Sequence, residues 1–433
     1  MRSRSSLAVS VVAVALAATV LVGCQVGRVG ARCGPEGDWG RDATHTLQCR
    51  NGRWVRTITL EQTAQILLTI IKARTPSEVA AGNGHTCAVS HAGTVRCWGF
   101  NASGQLGDGT TTNRTRAVEV KGIGLQATSG AVTLGAEFSC RRSFVVAHPL
   151  TPATLQCWGY NGFGQLGDGT TTNRPTPITV PISGTTFGDV DAGTVHTCAA
   201  VPAKVQCWGQ NASGQLGNGT TTASSTPVDV TGLGDVREVE AGQAHSCALL
   251  MDHTVACWGE NGSGQLGDGT TTDRTTPVAV SGVAHVIGLA AGGNHTCALI
   301  VNGTAKCWGA NTGGQLGNAT TTNSSTAVDV AGLGGITKIA AGDDHTCAVL
   351  ADQQLWCWGG NATGQLGIGN TADKSTPNLV AGLSKVTSVG LGFGHSCAIA
   401  DNKLACWGRN DFGQLGDGTT TTATAPVSIP FIP

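Results

Sequence analysis

Charge is scarce in this sequence and evenly divided. Lysine and arginine number 26, aspartate and glutamate 27, so 12% of the 433 residues are charged and the net charge is −1. No basic stripe is available to neutralise a phosphate backbone, which excludes a nucleic-acid-binding role. Phenylalanine and tyrosine are also few, with eight of one and one of the other beside ten tryptophans. After residue 24 no apolar run approaches the roughly 20 residues that a membrane span needs. Two further features are missing: a glycine-rich loop ending in lysine that would cradle a nucleotide and, outside the repeated frames described below, a serine, histidine and carboxylate trio. Enzymatic chemistry of either kind is therefore not expected, nor is a cofactor or a bound metal.

What is present begins with the amino terminus. Residues 1–23 carry Arg2 and Arg4, then the apolar run from Ser6 to Val22, then Gly23 before Cys24. This is the pattern of an export signal rather than of a folded element. The string Leu21-Val22-Gly23-Cys24 resembles the lipobox of bacterial lipoproteins, which implies a lipid on Cys24, the first mature residue. Loss of the signal leaves 24 basic against 27 acidic residues, a net of −3. Export would place the remaining cysteines in an oxidising compartment, where disulfides are the default. The localisation expected is the cell envelope, outside the cytoplasm, with the membrane reached through that lipid.

Cys-Trp-Gly recurs at Cys97, Cys157, Cys207, Cys257, Cys307, Cys357 and Cys406. Seven units of about fifty residues signal a repeat architecture. Each unit holds four short alternating runs: an apolar one ending in small residues, as in Val286-Ile-Gly-Leu-Ala-Ala, then T-C-A-V/L, T-V-x-C-W and T-P-V-x-V. All are bounded by Gly, Asn or Asp and read as strands. Four strands repeated radially make a propeller blade. The fold expected over 77–430 is an all-β, seven-bladed β-propeller with small residues on its innermost strands.

The ordered string G-x-x-H-T-C-A, C-W-G-x-N-x-x-G-Q-L-G-D-G-T-T-T and T-P-V resembles the regulator of chromosome condensation repeat across roughly 77–430. The resemblance implies a seven-bladed propeller. The best-known member of that family exchanges nucleotide on a small nuclear GTPase and binds chromatin, roles that an exported, mildly acidic chain does not suit. A secreted β-lactamase inhibitor protein shares the propeller superfamily and implies a binding role instead.

Register assigns the cysteines. Nine residues centred on Ala92 separate Cys87 from Cys97, which sets the two opposite each other across a hairpin, within disulfide reach. The same count pairs Cys247 with Cys257, Cys297 with Cys307, and Cys347 with Cys357. Cys198 with Cys207 and Cys397 with Cys406 lose one residue, so their turns shorten to two, and Asp401-Asn402 suits such a turn. Cys140 and Cys157 enclose an insertion, Arg141 to Gln156. Cys24 takes lipid and Cys33 and Cys49 remain as one further pair, leaving no thiol free.

His85, His196, His245, His295, His345 and His395 share one frame, one per blade and too far apart to share zinc, so each is expected to tie to a neighbouring loop. Phe138 takes their place in the second unit. The acidic slot of GQLGDG, at Asp108, Asp168, Asp268 and Asp417, holds Asn218, Asn318 and Ile368 elsewhere, which favours a turn over calcium. The seven CWG tryptophans should pack between blades. The phenylalanines and the tyrosine avoid blades four to six. Phe393 and Phe412 belong to blade seven, Phe100 to blade one, Phe138, Phe144, Tyr160 and Phe163 to blade two, and Phe187 leads into blade three. Phe393 and Phe138 fall in loops between first and second strands, and Phe100, Tyr160, Phe163 and Phe412 in loops between third and fourth. Alternating strand directions put both loop types on one face. One sector of that face, holding these six residues, is the candidate partner-binding patch, against the alternative that they tuck beneath their own loops.

Residues 24–56 form a lipidated segment with one disulfide loop and Trp39 and Trp54 as a minimal core. In 57–76 the capping-box pattern Thr59-Leu-Glu-Gln62 opens a helix expected to run to Ile71 and stop before Pro76. The reading is a monomeric, surface-anchored module that binds a protein at the cell envelope. Cell-wall glycan binding is the alternative, with guanine nucleotide exchange following from family analogy alone.

Overall fold

The structure is a computed structural model that describes residues 32, 39–41, 45–51, 53–59, 61, 62, 65, 75–123, 131–143, 154–182 and 188–431. Cys24, Cys33, Phe144, Phe187, the export signal and most of the expected helix lie outside the described residues. Two compact units divide the chain, Met1–Arg74 and Thr75–Pro433.

The first unit contains a three-stranded antiparallel sheet of Trp39–Arg41, His45–Arg50 and Arg53–Thr59. Leu47, Cys49 and Trp54 form its buried core, and Cys49 is disulfide-bonded. The sheet is more than the loop and two tryptophans expected from the sequence. Its central hairpin pairs Arg50 with Arg53 across Asn51, whose positive φ of 50° suits a tight turn. The capping box is present and reciprocal: the Gln62 N–H donates to Thr59 Oγ1 at 3.0 Å and the Thr59 N–H to Gln62 Oε1 at 2.9 Å. Glu61, Gln62 and Gln65 are helical.

In the second unit the described residues form seven four-stranded antiparallel sheets. Blade one comprises Pro76–Ala81, His85–Ser90, Val95–Gly99 and Arg114–Glu119. The first strand of every blade lines a central channel. The final strand, Ala423–Ile429, pairs only with Lys403–Gly408 of its own blade. That answers a point the sequence left open: among the described residues each blade is contiguous in the chain, and no strand exchange closes the ring.

Register places the cysteines as their spacing predicts. Seven disulfides join Cys87–Cys97, Cys140–Cys157, Cys198–Cys207, Cys247–Cys257, Cys297–Cys307, Cys347–Cys357 and Cys397–Cys406. In blade seven Ala400 pairs with Lys403 across Asp401 and Asn402, both at positive φ (49° and 60°), the two-residue turn that matches strand twist. The longer hairpins end their turns on a left-handed residue, for instance Gly93 or His253.

One hydrogen-bonded clasp joins neighbouring blades, and it uses the HTC, CWG and GQLG frames together. Between blades one and two, Trp158 Nε1 and Ser139 Oγ both donate to the Gln105 carbonyl at 2.9 Å. The Ser139 hydroxyl thereby spends its proton, so His85 Nε2, 2.9 Å away, is the donor to it. His196, His245, His295, His345 and His395 repeat the arrangement on Ser246, Thr296, Thr346, Ser396 and Thr86. The last of these closes the ring from blade seven to blade one, where Thr86 Oγ1 and Trp98 Nε1 donate to Gln414 O. The tryptophan also explains the last glycine of GQLG: a Cβ on Gly107 would lie 2.8 Å from Trp158 Nε1.

Phe138, read from the sequence as part of a binding patch, is corrected here. It fills the histidine slot of blade two with no exposed surface and packs in the core with Leu155, Leu166 and Trp208. Its ring lies against Gly135, where a Cβ would come within 2.0 Å of it. The frame position, and not the residue type, dictates burial. At that interface Thr197 and Trp208 still donate to Gln165 O, so two bonds of the clasp survive without the histidine.

Burial holds the six histidines neutral, with pKa values lowered from 6.5 to about 3 for His85, His245, His345 and His395 and to about 4 for His196 and His295. Their folded pKa lies below the unfolded one, so their contribution is complete above about pH 6.5 and is lost as pH falls toward 4. Carboxyls such as Glu78, pushed up to about 7 by burial, act in the opposite sense between their ordinary range and that value, so a single-site variant separates the two. His295→Phe, copying blade two, should flatten the slope of stability against pH by up to about 1.4 kcal/mol per pH unit between roughly pH 6.5 and 4. Urea denaturation across that range measures it, and an unchanged slope refutes the neutral clasp. Removing one staple with Cys297→Ala and Cys307→Ala should lower stability by about 2 to 3 kcal/mol while the far-ultraviolet spectrum stays that of the native protein.

Candidate functional site

The loops between third and fourth strands are built to one plan. Asn101 is fully buried; its Nδ2 donates to the Thr110 and Thr112 carbonyls and its Oδ1 accepts from Leu106 N. Equivalent asparagines do the same in every blade, for example Asn261 and Asn410. The acidic slot makes a turn. Asp108 accepts from Thr110 N and Oγ1 and from Arg114 Nε and Nη2, and Asn218 takes the same two threonine bonds without the charge. Among the described residues no three His, Cys, Asp or Glu side chains cluster to hold a metal ion, and every described cysteine is disulfide-bonded.

So constrained a loop leaves three variable positions per blade; the one directly after the buried asparagine holds only Ala, Gly, Thr or Asp, and the other two carry the large side chains. The residue after CWG is Phe100, Tyr160, Gln210, Glu260, Ala310, Gly360 or Arg409, and the residue before GQLG is Ser103, Phe163, Ser213, Ser263, Gly313, Thr363 or Phe412. The loops between first and second strands lie beside them on the same face, as the bonds Phe100 N to Gly84 O, Tyr160 N to Glu137 O and Arg409 N to Gly394 O show.

Of the six aromatics expected on this face, the structure places five there. Phe100 and Phe412 are in contact across the blade seven to one boundary, with ring centroids 4.8 Å apart, and Arg409 stands over the Phe412 ring at 5.7 Å. Tyr160 and Phe163 meet edge to face at 6.4 Å. Phe100, Phe412 and Tyr160 are half-buried, while Phe163 and Phe393 are 39% and 43% exposed. Phe393 stands at the channel rim.

Sequence reasoning missed the acids. The central channel, about 390 Å³, is lined by Glu78, Asp189, Asp191, Glu240 and Asp343. Most of these answer a backbone need. An innermost strand has an unpaired edge, and side chains of the preceding blade accept from its N–H groups. Glu78 accepts from Val132 N, Asp189 from Val239 N, Asp191 from Ala241 N, Glu238 from Leu289 N and Glu240 from Ala291 N; Thr133 and Ser388 do the same for Ala192 and Val79. Burial raises the pKa of all five carboxyls, Glu78 to about 7. At the rim, burial and then Asp344 push Asp343 up to about 6. Asp344 and Glu260 are raised by burial and by Asp373 and Asp273 respectively. Acidic residues in the first strand and in the loop after it were the available signal.

This face offers rings, amides and carboxyls on a rigid frame, which is the chemistry of recognition. Comparison with known proteins agrees on the frame. A model described as RCC1-like domain matches residues 154–433, and one described as Regulator of chromosome condensation (RCC1) repeat matches 77–105. The probable E3 ubiquitin-protein ligase HERC4 of Homo sapiens is 29% identical over 29% of this chain and 12% of its own length. The ultraviolet-B receptor UVR8 of Arabidopsis thaliana is 32% identical over 28% of this chain and 26% of its own. The chain thus spans about an eighth to a quarter of the length of these relatives. Among solved structures, human WBSCR16 superposes with a TM-score of 0.68 at 22% identity, covering 78% of this chain and 94% of that one. Yeast RCC1 (Prp20), solved bound to Kap60, gives 0.68 at 20%, covering 83% and 85%. With a family model over well more than half of its length and a seven-bladed ring of this build, the chain belongs to the RCC1-like domain family.

Proposed function

We propose that this propeller is a protein-binding module that takes its partner on the loop face at blades seven, one and two, displayed outside the cytoplasm on a lipid at Cys24. The observation that carries the reading is the exposure of Phe163 and Phe393 beside the Phe100–Phe412 and Tyr160–Phe163 pairs, at positions where the loop frame imposes no residue. Aromatic anchors of this kind dominate the energetics of protein interfaces. Seven disulfides in the propeller support an oxidising compartment. Protein recognition is also what solved relatives display: yeast RCC1 is bound to Kap60, and Prp20p of Saccharomyces cerevisiae was examined for binding to Gsp1p and histones. An exported chain meets none of those partners, so the shared property is the use of a propeller as a platform.

A second reading, glycan binding, is favoured by one feature. A cleft of about 300 Å³ between blades three and four is lined by Thr194, Gln210, Ser213, Gln243 and Glu260, whose amides and hydroxyls match sugar hydroxyls.

The triple variant Tyr160→Ala, Phe163→Ala and Phe412→Ala should weaken capture of the partner from envelope extract by about 100-fold or more while the melting temperature holds. Unchanged capture defeats the reading, and capture competed by cell-wall fragments would favour the glycan alternative. Mass spectrometry of the mature chain should find acyl chains on Cys24, and Cys24→Ser should release the protein from the membrane fraction; an unmodified, unprocessed amino terminus would overturn the anchor.

A further inference from the structure

The loop face is divided by chemistry. Blades seven, one and two carry the rings, whereas Glu260, Asp343 and Asp344 stand on blades four and six. Among the described residues no basic side chain comes within ion-pair distance of these three carboxyls, although Asp108, Asp168 and Asp268 on the loops nearby are all paired with arginine. The channel opening between the two halves has five carboxyls in its lining and neither lysine nor arginine. The rim connects the halves directly, since Asp343 N donates to Gly392 O and the next residue, Phe393, donates from its N–H to Gly82 O. An acid and an exposed ring therefore occupy adjacent steps of one rim.

A second feature belongs to the aromatic half alone. The Gln105, Gln165 and Gln414 side chains of blades one, two and seven are fully buried, and their Nε2 groups have no hydrogen-bond partner. In blades three and four the equivalent amides reach Gln210 Oε1, the residue after CWG, and Asn294 Oδ1 in the next rim loop. At the position of Gln210 these three blades carry Phe100, Tyr160 and Arg409, and none of them accepts from the amide. Unsatisfied buried donors are costly, and the three such glutamine amides all belong to the blades that carry the rings.

Resting on the protein-binding reading above, we infer that the partner is a cationic polypeptide segment that crosses the channel mouth, its large apolar side chains on the Phe100, Phe163, Phe393 and Phe412 sector and its lysines or arginines over Asp343, Asp344 and Glu260. Charge complementarity argues for this occupant: the three carboxyls have no basic partner of their own, and a lysine or arginine at the rim supplies the counter-charge and favours their ionised form. An acidic segment would meet like charge at Asp343, Asp344 and Glu260.

A displayed library of random short peptides, selected on the full chain at low salt, tests the inference. Enriched sequences should combine Lys or Arg with Leu, Phe or Trp, and a synthetic peptide from the pool should bind at least about tenfold tighter than its Lys/Arg→Ser counterpart, an advantage that shrinks in high salt. The isosteric variant Glu260→Gln, Asp343→Asn, Asp344→Asn, checked for an unchanged melting temperature, should remove that advantage. Enrichment of acidic or uncharged sequences, no enrichment at all, or an advantage that survives in the isosteric variant overturns the inference. The aromatic triple variant separates the two levels. If it binds the peptide as the native chain does, the loop-face reading fails; if it loses the peptide while charge makes no difference, only the cationic segment is refuted.

Discussion

Each blade interface depends on one acceptor, the carbonyl of the glutamine in GQLG. It accepts one hydrogen bond from the tryptophan and another from the serine or threonine of the following blade, and at six of seven interfaces a histidine completes the chain of bonds. The frames HTC, CWG and GQLG thus recur together because each supplies one part of a single joint. The joint between Trp98 and Gln414 spans 316 residues of sequence yet has the same length as that between Trp158 and Gln105. Uniform joints let the ring close without a shared strand. Each hydrogen bond contributes only about 1 kcal/mol net, but the buried tryptophan brings its whole apolar surface with it.

The inner edge of the ring poses a separate problem. Strands that face the channel cannot pair with one another, and their N–H groups need acceptors. Carboxyls of the preceding blade provide them at Val132, Val239, Ala241, Leu289 and Ala291. A structural need thereby gives the channel its acidic character. The rim inherits that character and the aromatic sector breaks it, so recognition on this face is shaped partly by how the fold satisfies its own backbone.

Much of this was legible in the sequence. Strand positions, hairpin register and the seven propeller disulfides all follow from a period of two and from counting residues between cysteines, because opposite positions on a hairpin are set locally. The two-residue turn at Asp401-Asn402 was legible for the same reason. Phe138 was misread because aromaticity was weighed above position: the residue stands in the histidine frame, which is buried in every blade. The acidic channel was overlooked because Glu78, Asp189, Asp191, Glu240 and Asp343 lie in different repeats, and they line one channel only once the ring is closed. In the amino-terminal unit the short strands around Asn51 lacked a repeat to expose them, while the capping box at Thr59 and Gln62 could be read from four residues.

The sequence alone determined the blade, since every contact inside it joins residues within about fifty positions and obeys the alternation of a strand. Only the tertiary structure decided which rings lie open, which tuck under a neighbour, and which carboxyls share a mouth. Those outcomes depend on how seven similar blades are set around an axis, bringing together side chains far apart in the chain, and no local pattern encodes that distance.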